Sequence, residues 1–122
     1  MTKTAKLTEA DLRQFYGSEH WYRHALNRNV LFTDGAKYVA DEGGAYWLLD
    51  IIALAQRHHN AIAAEPFQVW KLAVRPDQSA TLTCEDGNYR LIDAQEIRFT
   101  DYPGVEVTLW FSNGVIYLPS EH

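Results

Sequence analysis

Cysteine is almost absent from this sequence, in which Cys84 is the single cysteine among 122 residues. One cysteine excludes an intramolecular disulfide. The opening residues, Met1 to Lys6, are largely polar and no apolar run follows them, so they lack the hydrophobic region of a secretory signal. Because thiols stay reduced in the cytosol, we expect a cytoplasmic protein.

Long hydrophobic runs and blocks of like charge are absent too. The longest apolar stretch, residues 45–55, is interrupted by Asp50 and has about half the length that a membrane-spanning helix needs. The 11 Lys and Arg residues are scattered and outnumbered by 16 Asp and Glu residues, which gives a net charge of −5. Little positive charge is therefore available to neutralise phosphates. We expect neither a membrane span nor a nucleic-acid-binding protein.

What is present is the composition of a globular chain. Hydrophobic residues make up 47% and charged residues 22% of the sequence, which is not the balance of a disordered protein. The length suits one domain over residues 1–122, in which residues 1–7 form a frayed leader. Gly43-Gly44 lacks the Lys-Ser/Thr of a phosphate loop, and we expect no cofactor.

Two helices are predicted in the first half. Thr8 is a good N-cap for a short N-terminal helix that Gly17 ends. The main helix is predicted from Ala45 to about His58, and apolar residues cover most of its circumference, so it should be largely buried.

A small N-terminal hairpin is predicted between these helices. Residues 30–32 and 37–39 are short β-like segments, and Thr33-Asp34-Gly35 lies between them. Asp-Gly pairs favour tight turns because both residues tolerate positive φ.

The second half has the alternation of β-strands. Turn residues separate five segments rich in β-branched and aromatic side chains, at residues 67–74, 80–85, 89–93, 105–111 and 115–118. Connections this short favour antiparallel neighbours. The residues Val105, Val107, Leu109 and Phe111 share one face, and Trp110 lies on the other. We therefore predict an α+β fold: an antiparallel β-meander of about five strands packed on one main helix, with the short N-terminal helix and the hairpin.

His20, His24 and Asp50 are the candidate catalytic residues. Four-residue spacing places His20 and His24 on one face of a helix or strand, where they could share a metal ion with an acidic residue such as Asp34. Asp50 interrupts the most apolar helix, and a buried carboxylate needs a partner. Two interpretations stay open: a small hydrolase or metal-dependent enzyme that uses these groups, or packed histidines with Asp50 on an exposed stripe beside Tyr46 and Arg57.

The aromatic residues suggest an interface. Trp21, Tyr22, Tyr46 and Trp110 are candidate binding residues, because exposed Trp and Tyr are enriched at protein interfaces. Alternatively, the N-terminal segment covers the outer face of the sheet and buries Trp110. Cys84 points inward and should be an inert small hydrophobe. Our leading hypothesis is a non-catalytic binding or interaction module that forms a homodimer or binds another protein.

Several segments together resemble an uncharacterised bacterial family of cyanobacterial and proteobacterial genomes and mobile elements. They are LT at residues 7–8, FYGSEHWYRH at 15–24, FTDGAKY at 32–38, GAYWLLD at 44–50, FQVWKL at 67–72, FTDYP at 99–103, NGV at 113–115 and LPSE at 118–121. The resemblance spans nearly the whole chain. The family is a domain of unknown function, so the resemblance implies no reaction, cofactor or functional residue.

Overall fold

A computed structural model of the chain describes Leu12 and residues 20–122. Leu12, which is helical and buried, belongs to the predicted N-terminal helix; the rest of that helix and the frayed leader lie outside these residues. Within them, no helix is long and apolar enough to cross a membrane. The strands are β1 (Trp21–Arg23), β2 (Leu31–Thr33), β3 (Phe67–Val74), β4 (Ala80–Glu85), β5 (Leu91–Ile97), β6 (Glu106–Ser112) and β7 (Val115–Tyr117). The helices are α1 (Asp34–Gly43), α2 (Tyr46–His58) and α3 (Asn60–Ala63), followed at the end by a 3₁₀ helix (Pro119–Glu121).

The seven strands form one sheet in the order β1-β2-β7-β6-β3-β4-β5. Every neighbouring pair is antiparallel except β2 and β7, which are parallel. The α+β class is therefore confirmed, but the simple five-strand meander is wrong. β6 pairs with β3 and not with β5, because residues 98–105 are long enough to return across the sheet, whereas the tight turns after β3, β4 and β6 fix antiparallel neighbours.

The predicted hairpin at Asp34-Gly35 is also wrong, because these residues begin helix α1. Thr33 is the N-cap, and its Oγ1 accepts a hydrogen bond from the backbone N–H of Ala36 at 3.2 Å. Asp34 follows in the first turn, where a carboxylate favours the positive end of the helix dipole. A small N-terminal hairpin exists one step earlier in the chain, where β1 pairs with β2.

The helices pack on one face of the sheet, which we call the inner face. Helix α2 confirms the predicted main helix and buries Leu48, Leu49, Ile52 and Ala53. These side chains belong to the same apolar cluster as the alternate residues Trp70, Leu72, Leu82, Leu109 and Ile116 of the strands. We call the opposite face, which carries Trp110, the outer face. Val105 was expected to point inward, but it is exposed because β6 begins only at Glu106.

A buried amide pair joins the helices to the sheet. The Gln68 side chain is 0% exposed, and its Nε2 donates to the side-chain oxygen of Gln56 at 2.9 Å and to the carbonyl of Ile62 at 2.8 Å. Its Oε1 accepts from Gln56 Nε2 at 2.8 Å and from Trp70 Nε1 at 3.0 Å. A buried amide needs partners of this kind, and here they come from α2, α3 and β3.

The end of the chain is fixed to the start of α1. The Glu121 carboxylate accepts hydrogen bonds from Thr33 Oγ1 at 2.6 Å, from Gly35 N at 3.1 Å and from Leu118 N at 2.8 Å. Gly35 allows this close approach, since a Cβ atom there would lie 2.5 Å from Glu121 Oε1 and 2.7 Å from Leu118 Cδ1. One free N–H group at the helix N-terminus, that of Gly35, is thus satisfied by a carboxylate from the same chain.

Tyr102 carries a buried hydroxyl without a hydrogen-bond partner. Among the described side chains it is the single buried polar group in this state. The residue lies between β5 and β6 within the core, and burial raises the pKa of its hydroxyl. An unsatisfied buried hydroxyl lowers the free energy of unfolding because its bonds to water are lost on folding.

We expect Tyr102→Phe to stabilise the fold by about 1 kcal/mol, since it removes the desolvated hydroxyl and keeps the ring. Tyr117→Phe is the matched control, because the Tyr117 hydroxyl hydrogen-bonds to Ser112 Oγ at 3.0 Å and its loss should not stabilise. Urea unfolding followed by circular dichroism measures both. Equal effects of the two substitutions would contradict the account.

Candidate functional site

His24 is buried directly after β1 with both ring nitrogens in hydrogen bonds. Its Nδ1 accepts from the backbone N–H groups of Leu26 and Asn27, each at 3.1 Å. Its Nε2 lies 2.8 Å from Asp50 Oδ1. Because a nitrogen that accepts two N–H bonds cannot carry a proton, the ring proton belongs on Nε2 and is donated to Asp50. Neither nitrogen keeps a lone pair for a metal ion or a substrate proton in this arrangement.

Asp50 lies at the boundary between the core and solvent. Its side chain is 42% exposed, whereas that of His24 is 5% exposed. Each interpretation of the sequence is right about one feature of its position. Asp50 lies beside His24, and it also belongs to the partly exposed side of α2 with Tyr46 and Arg57. One turn further along α2, the carbonyl of Ala53 accepts a hydrogen bond from Asn27 Nδ2 at 2.8 Å. Together these contacts fix residues 24–30 to the helix.

His20 is at the opposite end of β1 and pairs with a different carboxylate. Its Nδ1 lies 3.7 Å from Asp34 Oδ2, and its backbone N–H donates to the same oxygen at 3.2 Å. Four residues of extended chain separate His20 from His24 by roughly 13 Å. The structure thus brings His24 together with Asp50, and His20 together with Asp34, as two separate pairs.

Among Leu12 and residues 20–122, no three His, Cys, Asp or Glu side chains form a group that could hold a metal ion. Cys84 is buried on the inner face, and burial, with the nearby carboxylates of Asp93, Glu65 and Glu85, raises the pKa of its thiol to about 12. Such a thiol is a poor nucleophile, because the thiolate is the reactive form.

A polar group on α1 surrounds two of the predicted binding residues. Lys37 forms an ion pair with Asp41 at 2.6 Å, and the Tyr46 hydroxyl also donates to Asp41. The Lys37 ammonium and then the Tyr46 hydroxyl lower the pKa of the Asp41 carboxyl. The Tyr22 hydroxyl donates to Asp34 at 3.1 Å, and this bond raises the pKa of Tyr22. These pairs are exposed, so they contribute little to stability.

The remaining predicted binding residues lie on different parts of the sheet. Trp21 is exposed on the edge strand β1, whereas Tyr22 stacks on Phe32 on the inner face with 5.5 Å between ring centroids. Trp110 is half-buried on the outer face against Phe67, Tyr117 and His122, at centroid distances of 5.2, 6.1 and 5.5 Å. Its cover by the N-terminal segment was the alternative prediction. Of that segment the structure describes Leu12, whose carbonyl accepts a hydrogen bond from Ser120 Oγ at 3.2 Å, and the other residues lie outside the description.

An open depression lies on the outer face beside Trp110. It has a volume of about 460 Å³, and its lining includes Phe67, Tyr89 and the ion pair of Lys71 with Glu85 at 3.3 Å. The aromatic walls and the mixed charge of this depression are more typical of a protein-binding surface than of an active site.

The exposed apolar residues that sequence reasoning missed lie along strand β5 and its flanks. Tyr89 is 85% exposed, Leu91 55% and Phe99 69%. We call this surface, residues 89–99, the β5 edge. Their apolar character was visible in the sequence, but β5 can be recognised as the last strand of the sheet only from the pairing of β6 with β3.

These features define an α+β protein with helices on one face of a seven-stranded sheet and an apolar outer edge. A protein-family model described as a family of unknown function (DUF6876) matches residues 6–122, and the chain belongs to this family. The match confirms the resemblance to a domain of unknown function. A search of the curated proteins found no match. A search of the solved structures likewise found none.

The role of Asp50 can be tested by two substitutions. Asp50→Ala should destabilise the fold by about 1–3 kcal/mol, because it leaves the buried Nε2–H of His24 without an acceptor. Asp50→Asn should lower the free energy of unfolding by less than half as much, since the amide oxygen still accepts this hydrogen bond. Thermal and urea unfolding measure both variants. If Asn is as damaging as Ala, the carboxylate has a role beyond accepting this bond.

Proposed function

We propose that the protein is a cytoplasmic, non-catalytic interaction module that self-associates. The observation that carries the proposal is the exposure of three large apolar side chains, Tyr89, Leu91 and Phe99, on the β5 edge. Large exposed aromatic and aliphatic groups lose contact with water when a partner covers them. Aromatic residues of this kind dominate binding energy in interfaces.

The position of these residues at a sheet edge supports the same proposal. An edge strand offers unpaired backbone N–H and C=O groups to another chain, and proteins usually blunt such edges with Lys, Pro or a very short strand. The other edge, β1, has three residues, whereas β5 has seven and contains neither Lys nor Pro. Within Leu12 and residues 20–122, β5 is thus the longer open edge of the sheet, and a β-bulge interrupts it between Leu91 and Asp93.

The enzyme hypothesis has less support from the geometry. It requires His20, His24 and Asp50 to act together, but His20 contacts Asp34 and both nitrogens of His24 are engaged in hydrogen bonds. A hydrolase or metal-dependent enzyme that uses these residues would therefore need residues 24–30 to rearrange. The interaction module needs no rearrangement, because its exposed residues are already at the surface.

Self-association should be lost when the edge is made polar. We expect the wild-type chain to elute with twice its 14.0 kDa mass in size-exclusion chromatography with light scattering. The double variant Tyr89→Asn, Phe99→Ser should shift to the monomer mass. Asn suits position 89 because the residue there has a positive φ of 67°.

Leu26→Ser is the matched control, since Leu26 is an equally apolar and exposed residue in the loop before β2. It should leave the dimer mass unchanged. A wild-type chain that stays a monomer up to the highest soluble concentration would overturn the proposal.

A further inference from the structure

Among Leu12 and residues 20–122, β5 has a strand partner on one side only. β5 pairs with β4 alone, through residues Ala80 to Glu85, and it is the last strand in the order of the sheet. Its other side faces no strand among Leu12 and residues 20–122. A second strand can therefore add to β5 by backbone hydrogen bonds, as in the recognition mode in which a segment extends an exposed sheet edge.

We propose that the occupant of this edge is a second copy of the chain, paired antiparallel with β5 about a two-fold axis through Ala94. The inference rests on the proposed function and specifies its surface and register. Two-fold interfaces use the same patch on both copies, so the patch must be complementary to itself. In this arrangement residues at equal distances on either side of Ala94 face each other across the axis.

Exposed aromatic residues flank the strand on both sides of Ala94. Tyr89 and Phe99 each lie five residues from it, just beyond the two ends of β5, so they would lie at the ends of the paired strands. Leu91 pairs with Glu85 across a β-bulge and lies on the outer face, whereas Ile97 pairs with Ala80 and lies on the inner face, so these two residues do not form a direct pair. Ala94 itself is small and exposed, which suits a residue that must face its own copy.

The charges of the edge fit the same register. Arg90, Asp93, Glu96 and Arg98 sum to zero in a chain of net charge −5, so this patch can approach its copy without net repulsion. Asp93 faces an amide, Gln95, across the axis. Within its own chain Asp93 lies 3.8 Å from His59 Nε2, and Glu96 forms an ion pair with Arg75 at 3.1 Å. The Arg90 guanidinium is already neutralised by Glu65 at 2.8 Å and by Asp86 at 3.2 Å, which removes its repulsion toward Arg98 on the other strand.

Neighbouring registers lose these matches. An axis through Asp93 would place two carboxylates directly opposite each other, which is destabilising. An axis through Gln95 would place Asp93 against the apolar Ile97. The positions of the charged and polar residues within β5 thus favour Ala94 among the adjacent positions.

The register can be tested by disulfide trapping, because the one native cysteine of the chain should react slowly. Its single cysteine, Cys84, is buried and its thiol pKa is raised to about 12, so an introduced cysteine is the reactive one. Directly opposed Cβ atoms of antiparallel strands lie about 4.5–5.5 Å apart, close to the separation in a disulfide. Ala94→Cys should therefore form a covalent dimer under air oxidation.

Two control variants define the background and the competing surface. Ala61→Cys, exposed in α3, gives the rate of random collision, and Ala73→Cys, exposed on the outer face of β3, reports a face-to-face dimer. We expect Ala94→Cys to crosslink at least tenfold faster than either control on non-reducing gels. Circular dichroism checks that each variant is folded before oxidation.

The outcomes separate the register from the proposed function. A wild-type dimer by light scattering, with Ala94→Cys no faster than Ala61→Cys, overturns the register and leaves self-association intact. Faster trapping of Ala73→Cys assigns the interface to the outer face instead. A wild-type monomer overturns self-association and the register together.

Discussion

The buried amide of Gln68 is the contact on which the layered architecture depends. It joins β3 to α2 and α3 through the Gln56 side chain and the Ile62 carbonyl, with no exposure to solvent. Because such an amide is costly to bury unless its bonds are made, it favours one placement of the helices on the sheet. The helices therefore cover the inner face of the sheet.

The polar residues that first suggest catalysis are better explained as structural contacts. His24 and Asn27 fix residues 24–30 to α2, and Glu121 satisfies the N-terminus of α1. In each case a side chain from one element satisfies polar groups of another, as buried polar groups require. The exposed apolar residues of the β5 edge, Tyr89, Leu91 and Phe99, have no structural role of this kind. This contrast is the basis of our proposal that the chain, a member of a family of unknown function, is an interaction module.

Local patterns predicted much of the fold, and long-range contacts explain the misses. Alternation set the bounds of β3 and β4 correctly, and the apolar helix was found within one residue of its start. Thr33-Asp34-Gly35 suits a hairpin turn and a helix N-cap equally well, and Glu121, 88 residues beyond Thr33, is bonded to the helix alternative. The partner of β6, and hence the identity of the edge strand, depends on a connection whose path no local pattern fixes.

Amide hydrogen exchange of β5 at two protein concentrations tests the central claim most directly, since it reports on the unpaired side of the strand itself. Outward-facing amides of residues 91–97 should exchange slowly at high concentration and markedly faster on dilution, while amides of β3 stay protected at both. Exchange rates for β5 that do not change with concentration would contradict pairing of this edge with a second copy.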